Sequence, residues 1–256
     1  MTIHPSAMID SAAKIGNNVE IGPFSVIEGN VEIGDNTKIG ANTSILKGSR
    51  IGTDNKIGHN VVIAAPPQDF KYKDEESYVI IGDNNLIREF VSINLATGEG
   101  NATKIGSNNM LMTSCHIAHN CTVGSNIIMA NLGTLGGHVT MHDNVNVGGM
   151  TAIHQFVQIG KFTMLGGCSK IIKDVPPFIC ADGHPAEPFG LNSIGLKRNG
   201  FSTKDILEIK NAYKIVYRSK LRLEEAIEKL EKEYSDNPNI SYFTEFIKTS
   251  KRGIIR

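Results

Sequence analysis

Several features are scarce or missing in this chain, and each absence excludes a class of protein. Net charge is absent. The 26 Lys and Arg residues balance 26 Asp and Glu, so no overall field draws in nucleic acid or an anionic membrane surface. No apolar run approaches the roughly 20 residues that cross a bilayer, so no integral membrane association is expected. The opening segment, MTIHPSAMID, holds neither the basic nor the apolar region of a secretory signal. Cysteine is limited to Cys115, Cys121, Cys168 and Cys180. They form no CxxC pair and no dense framework, which points to a reducing, cytoplasmic setting.

What is present is a repeat. From Ile3 to Ile63 every sixth residue is isoleucine, and the phase resumes at Ile81, Ile87 and Ile93. It then runs from Ile105 through Leu111, Ile117, Val123, Met129, Leu135, Met141, Val147, Ile153, Ile159 and Leu165 to Ile171. Of the 29 positions in this series, 26 are aliphatic, and only Asp69, Glu75 and Glu99 break it. Two residues earlier lies a second series of mostly small side chains, among them Ala13, Val19, Ser25, Thr37 and Thr43. Residues two apart share one face of a strand. The residue after the aliphatic one is often glycine, as at Gly16, Gly22, Gly34 and Gly40, which suits a corner that needs an unusual backbone angle.

Each hexad therefore reads as a short inward-facing strand and a turn. Three hexads close a triangular coil of 18 residues, and stacked coils lie about 4.8 Å apart. The 29 hexads predict just under ten coils. Cys115 and Cys121 fall at the small inward position, as buried apolar side chains rather than redox or metal groups.

The repeat is interrupted at 64–78 and at 95–103 and restarts in phase both times. Both stretches are expected to project from corners, either as functional loops or as tolerated insertions. The coil is expected to stop near Val175-Pro176-Pro177, where prolines remove ladder donors. From Ser202 the pattern turns helical, with Ser202 and Asp205 forming a capping box ahead of Ile206, Ile209, Tyr213 and Val216. Two further helices are expected at about 222–234 and 239–250. Residues 197–256 carry 14 Lys and Arg against 9 Asp and Glu. Lys204, Lys210, Lys214, Arg218, Lys220 and Arg222 concentrate this charge, as a solvated face or as a docking patch for an acidic partner.

The 18-residue coil also works as a ruler for chemistry. It stacks His119, Gly137 and Gln155 on one edge, and it sets His138 one coil above Asn120. A corner histidine beside a bare glycine backbone suits acyl transfer. Imidazole acts as a base near neutral pH, and a glycine N–H approaches a developing oxyanion closely. The plainer alternative is a set of polar corner residues. A zinc site like that of the gamma-class carbonic anhydrases is a further alternative, but His116 and His119 flank an inward Ile117 and point to different faces. No metal or cofactor is expected.

The stretches HIAHNCTVG, GGMTAIHQF, VPPF and GLKRNGF, the QDFKYKDE loop and the closing SKRGIIR closely resemble the acyl-carrier-protein:UDP-N-acetylglucosamine O-acyltransferases, which begin lipid A biosynthesis. The resemblance spans essentially the whole chain. It implies a left-handed parallel β-helix over 1–186 and a C-terminal α-helical domain over 187–256. It also implies a homotrimer with its active sites between neighbouring subunits. The reaction implied is transfer of a 3-hydroxyacyl group from acyl carrier protein to the 3-hydroxyl of UDP-N-acetylglucosamine. By resemblance, His119 is the general base and Gly137 the oxyanion donor. Asp69, Lys71, His116, His138, His154 and Gln155 match substrate-side positions. Asn192 and Arg198 match the nucleotide and phosphate side, the basic helix fits docking of an acidic carrier protein, and Gly167 matches a position that caps the acyl groove. Glycine leaves that groove open, which predicts a chain of about fourteen carbons.

The sequence departs from the family pattern at Asn120 (Asp in well-known members), Asn199 (Arg), Asn94 (His) and Ile194 (Glu). An amide at position 120 orients an imidazole but offers it no charge. Three other functions compete with the leading one. They are acyl transfer to the 3-amino group of a 2,3-diamino sugar nucleotide, the zinc-dependent hydratase, and a non-catalytic scaffold. The N-acyltransferase acting two steps later usually carries an additional N-terminal domain, whereas hexads here begin at Ile3.

Overall fold

The computed structural model describes residues 1–256. Its dominant element is the coil, built from 26 short strands between Thr2–Ile3 and Lys170–Ile171. These strands form three parallel sheets, the faces of a triangular prism, and the winding is left-handed. The repeat explains the geometry. The aliphatic residue of each hexad points inward, and nearly all of them from Ile21 to Ile171 are buried. The small residue two positions earlier fills the remaining space. Where it is a hydroxyl, it donates to a glycine carbonyl of the next coil: Ser25 Oγ to Gly40 O at 2.7 Å, Thr43 Oγ1 to Gly58 O at 2.8 Å and Thr151 Oγ1 to Gly166 O at 2.7 Å. A buried polar atom without such a partner costs stability. Cys115 and Cys121 are fully buried in this series, and burial raises their thiols to about 11 and about 12.

Two sequence expectations need correction. The glycines that follow the aliphatic residues have ordinary backbone angles. The left-handed residue lies two positions further on and is most often asparagine, as at Asn18, Asn36, Asn42, Asn60 and Asn126, a residue that tolerates that region. The glycines are needed for coil stacking: a Cβ on Gly22 would lie 2.8 Å from the backbone of Gly40 and Ala41. The coil count is also smaller. Ser44 pairs with Val62, but Val62 pairs with Ser92 and Ser92 with His116. The first loop therefore absorbs the hexads of Asp69 and Glu75, and the second absorbs that of Glu99. The coil has fewer than nine turns rather than nearly ten.

On one edge of the prism the left-handed position carries bulky apolar residues instead of asparagine. Phe24, Phe90, Leu132 and Met150 are 67, 58, 49 and 62% exposed.

The far end of the coil is closed by an antiparallel hairpin, Ile179–Gly183 with Ala186–Leu191, which the hexad pattern did not reveal. Met164 pairs with Cys180, a step of 16 rather than 18 residues, so the ruler fails after the prolines. The expected division after residue 186 falls within the second strand of this hairpin. Four helices follow: α1 (Ser193–Arg198), α2 (Thr203–Arg218), α3 (Leu223–Glu233) and α4 (Pro238–Thr249). The Ser202–Asp205 capping box is present at the start of α2. The C-terminal segment returns to the coil. Buried Asp174 accepts from Ser250 Oγ at 2.6 Å and Gln158 N at 2.8 Å, and Ile255 N donates to Asp174 O. No helix is long and apolar enough to cross a membrane.

Candidate active site

His119 sits on a corner of the coil, two residues past inward-facing Ile117, and is 8% exposed. Its ring orientation is over-determined. Asn120 takes the left-handed position at φ 58°, and its backbone N–H donates to Thr103 Oγ1 at 2.9 Å. The side-chain amide then meets Thr97 of the second loop at both ends. Nδ2 donates to Thr97 O at 3.0 Å, and Oδ1 accepts from Thr97 N and Oγ1, each at 2.9 Å. Because the NH₂ end faces a carbonyl, the oxygen end faces His119, where Oδ1 lies 2.9 Å from Nδ1. Nδ1 must therefore carry the proton, which leaves a lone pair on Nε2.

That Nε2 is aimed at Gly137, one coil on. A Cβ at Gly137 would lie 2.5 Å from Nε2 and 2.6 Å from Cε1. Gly137 O accepts from Phe156 N at 3.0 Å, whereas the Gly137 N–H meets no protein acceptor. A basic nitrogen and an unused backbone donor thus share one small space. This is the arrangement that proton removal from a nucleophile and stabilisation of an oxyanion require.

Two more histidines frame it. His138, at φ 60°, stands edge-on to His119 at 5.2 Å and stacks on Phe156 at 4.6 Å. Burial, and then His119, lower its pKa, and Lys71 and Asp69 act on it with opposite signs. The first loop therefore brings Asp69 and Lys71 within electrostatic reach of the cluster. His116 pairs through Nδ1 with Ser92 Oγ at 2.8 Å, and burial and His119 lower its pKa as well. His154 and Gln155 are exposed on the next coil of the same edge. No three His, Cys, Asp or Glu side chains converge as a metal shell.

The remaining sequence candidates lie elsewhere in the chain. Gly167 is on a different edge, above Gly149, whose carbonyl a Cβ would meet at 3.3 Å. Asn192 is buried and caps α1: its Oδ1 accepts from Gly195 N at 3.0 Å and its Nδ2 donates to Phe162 O at 2.9 Å. Arg198 ends α1 and is exposed. Sequence reasoning missed Thr97, Ser92, Thr103 and Phe156. Phe156 was within reach, since it lies 18 residues after His138. The other three were hidden because the loops lengthen the step between coils.

Comparison with known proteins agrees with this geometry. The family model described as UDP N-acetylglucosamine O-acyltransferase, domain 2, matches residues 174–255, and the bacterial transferase hexapeptide model matches 12–47 and 30–65. The acyl-[acyl-carrier-protein]–UDP-N-acetylglucosamine O-acyltransferase of Syntrophobacter fumaroxidans is 43% identical over 258 residues, covering 100% of both chains. Its counterpart in Thermodesulfovibrio yellowstonii is 48% identical over 255 residues, covering 99% of both. The solved UDP-N-acetylglucosamine acyltransferase of Bacteroides fragilis superposes with a TM-score of 0.97 at 47% identity, covering 99% of both chains. Full-length likeness at this identity, on the same coil, makes this chain a member of the acyl-[acyl-carrier-protein]–UDP-N-acetylglucosamine O-acyltransferase family.

Proposed function

We propose that this acyltransferase moves a 3-hydroxyacyl group from the thioester of acyl carrier protein to the 3-hydroxyl of UDP-N-acetylglucosamine, the opening step of lipid A biosynthesis. The observation that carries the reading is the free lone pair of His119 Nε2 facing Gly137, whose N–H is unused. Nε2 takes the proton of the sugar hydroxyl as its oxygen attacks the thioester carbonyl. The carbonyl oxygen becomes an oxyanion and accepts the Gly137 N–H. The tetrahedral intermediate collapses, the C–S bond breaks, and the leaving thiolate recovers the proton from Nε2. The enzyme ends as it began, and no cofactor is consumed.

Asp69, Lys71, His116, His138, His154 and Gln155 are assigned to acceptor binding. The lowered pKa values of His116 and His138 support neutral rings able to hydrogen-bond hydroxyls. Arg198 is assigned to the pyrophosphate, where a guanidinium fork suits the geometry, and Asn192 to the same side through its hold on α1. The basic face of α2 is assigned to the acidic carrier protein. A homotrimer is supported by the apolar edge of Phe24, Phe90, Leu132 and Met150, which a neighbouring subunit would cover. It would also bring the Gly167 edge of one subunit towards the His119 edge of the next. The four unpaired cysteines fit a cytoplasmic location.

A second reading, acylation of a 3-amino sugar nucleotide, draws support from Asn120. An amine attacks without prior deprotonation, so it asks less of a histidine whose partner is an amide. The experiment offers 3-hydroxyacyl carrier proteins of several lengths with UDP-N-acetylglucosamine and its 3-amino analogue, reading products by mass spectrometry. An ester product that disappears in His119→Ala is expected. No acylated sugar nucleotide in any combination defeats the assignment.

A further inference from the structure

The three residues that break the isoleucine phase are all carboxylates, and each accepts backbone N–H groups of the two loops. Asp69 accepts from Lys71 at 3.0 Å, and Glu99 accepts from Glu76 at 3.1 Å. Glu75 accepts from Lys73 at 2.7 Å within its own loop and from Gly98 of the other loop, also at 2.7 Å. Glu75 therefore joins the loop that carries Asp69 and Lys71 to the loop that carries Thr97. Gly98 directly follows Thr97, whose N–H, hydroxyl and carbonyl fix the Asn120 amide. That amide in turn fixes Nδ1 of His119. The N–H groups, Gly98 foremost, hold the Glu75 carboxyl below its ordinary pKa, so it is an anion at neutral pH.

We propose that Glu75 is a positioning residue for His119, acting through Gly98, Thr97 and Asn120, and that it couples the seating of the substrate-side loop to the tautomer of the base. The proposal rests on the reading of His119 as that base. If the first loop lifts, Gly98 loses its anchor and Thr97 moves. The Asn120 amide is then free to turn its NH₂ towards the ring. Nδ1 loses its acceptor, and the lone pair on Nε2 is no longer enforced. With the loop seated, every link is satisfied.

A brace of purely structural effect would lower stability without acting through Asn120, and a double-mutant cycle separates the two cases. The variants are Glu75→Ala, Asn120→Ala, the double variant and His119→Ala, each assayed for kcat, KM and melting temperature. Glu75→Ala is expected to lower kcat about tenfold, the effect of removing a second layer of support. Asn120→Ala is expected to lower kcat at least as much, and the double variant to match Asn120→Ala alone. A nitrogen-15 spectrum of His119 should report the Nδ1–H form in the wild type and a mixture in Glu75→Ala. Full multiplication of the two losses, or a kcat in Glu75→Ala within about twofold of wild type, overturns the proposal. Should Glu75→Ala fail to fold, Glu75→Gln takes its place in the cycle. It keeps the shape but turns a donor towards one N–H. Undiminished activity in His119→Ala overturns the base assignment and this proposal with it. Multiplication together with an inactive His119→Ala overturns this proposal alone.

Discussion

Nε2 of His119 lies where a single methyl group on Gly137 would have to go, with 2.5 Å between them. The three atoms nearest to that missing Cβ are all in the His119 ring, and Gly137 has no left-handed φ. Gly137→Ala should therefore push the base out of position while leaving the coil intact. A misplacement of this order is expected to lower kcat about 100-fold, with little change in melting temperature. Gly136→Ala provides the contrast. Its Cβ would lie 2.7 Å from the Gln155 backbone N, so it should lose stability as well. Wild-type kcat in Gly137→Ala would remove the main support for the site.

Asn120→Asp tests whether the amide is a substitute for a carboxylate or part of a different lock. Thr97 O now accepts the Nδ2 proton at 3.0 Å. A carboxylate there would set two acceptors against each other in a half-buried corner, although Thr97 N and Oγ1 could still donate. The loss should be about 1–3 kcal/mol, read as a lower melting temperature at neutral pH. A rise in melting temperature would mean that the Thr97 carbonyl is not held as described.

Much of this was legible in the sequence because the coil is periodic. Six-residue spacing identifies the inward residues, and the 18-residue turn places His119, Gly137 and Gln155 together without any knowledge of side chains. The same reasoning lost precision wherever the period was broken. Ser92 faces His116 across a step of 24 residues and Thr97 meets Asn120 across 23, because a loop hexad lies between them. The closing hairpin and α1 escaped for the same reason, since Pro176 and Pro177 end the register on which prediction depended. The role of the corner glycines was misjudged because a sequence shows the residue but not what lies 18 residues above it. The resemblance to a known family supplied the substrates, which no spacing encodes.

His142 connects the coil to the helices and should make that junction sensitive to acid. Its ring packs at 6.0 Å from Tyr242 and 6.1 Å from Phe246, both on α4. Burial lowers its pKa below the ordinary 6.5, Lys161 lowers it further, and Asp143 opposes them. Tyr242 also faces Lys161, at 5.5 Å. Because the folded pKa is depressed, the unfolded chain binds the proton more readily. Stability is then intact above about pH 6.5 and falls as the pH drops from there through the folded pKa. His142→Phe keeps the aromatic packing and removes the titration. The drop in melting temperature between about pH 7.5 and 5.5 should be smaller in His142→Phe than in the wild type. An equal drop in both proteins would assign the acid sensitivity to other groups.

Gly167→Met probes the acyl end of the proposed site. Gly167 is exposed on its edge, has no left-handed φ, and stands over Gly149, so two successive coils present bare backbone there. A Cβ would meet only the Gly149 carbonyl at 3.3 Å and its N at 3.8 Å, so the coil can accept a side chain. A methionine side chain would then lie across the floor that the two glycines leave open. Each methylene kept out of an apolar groove forfeits about 0.8 kcal/mol, or roughly a fourfold loss in kcat/KM per methylene. The variant should therefore prefer shorter 3-hydroxyacyl carrier proteins than the wild type, with its melting temperature nearly unchanged. Competition between donors of about ten and fourteen carbons, with products read by mass spectrometry, gives the ratio directly. An unchanged ratio would mean that the acyl chain does not run over this edge.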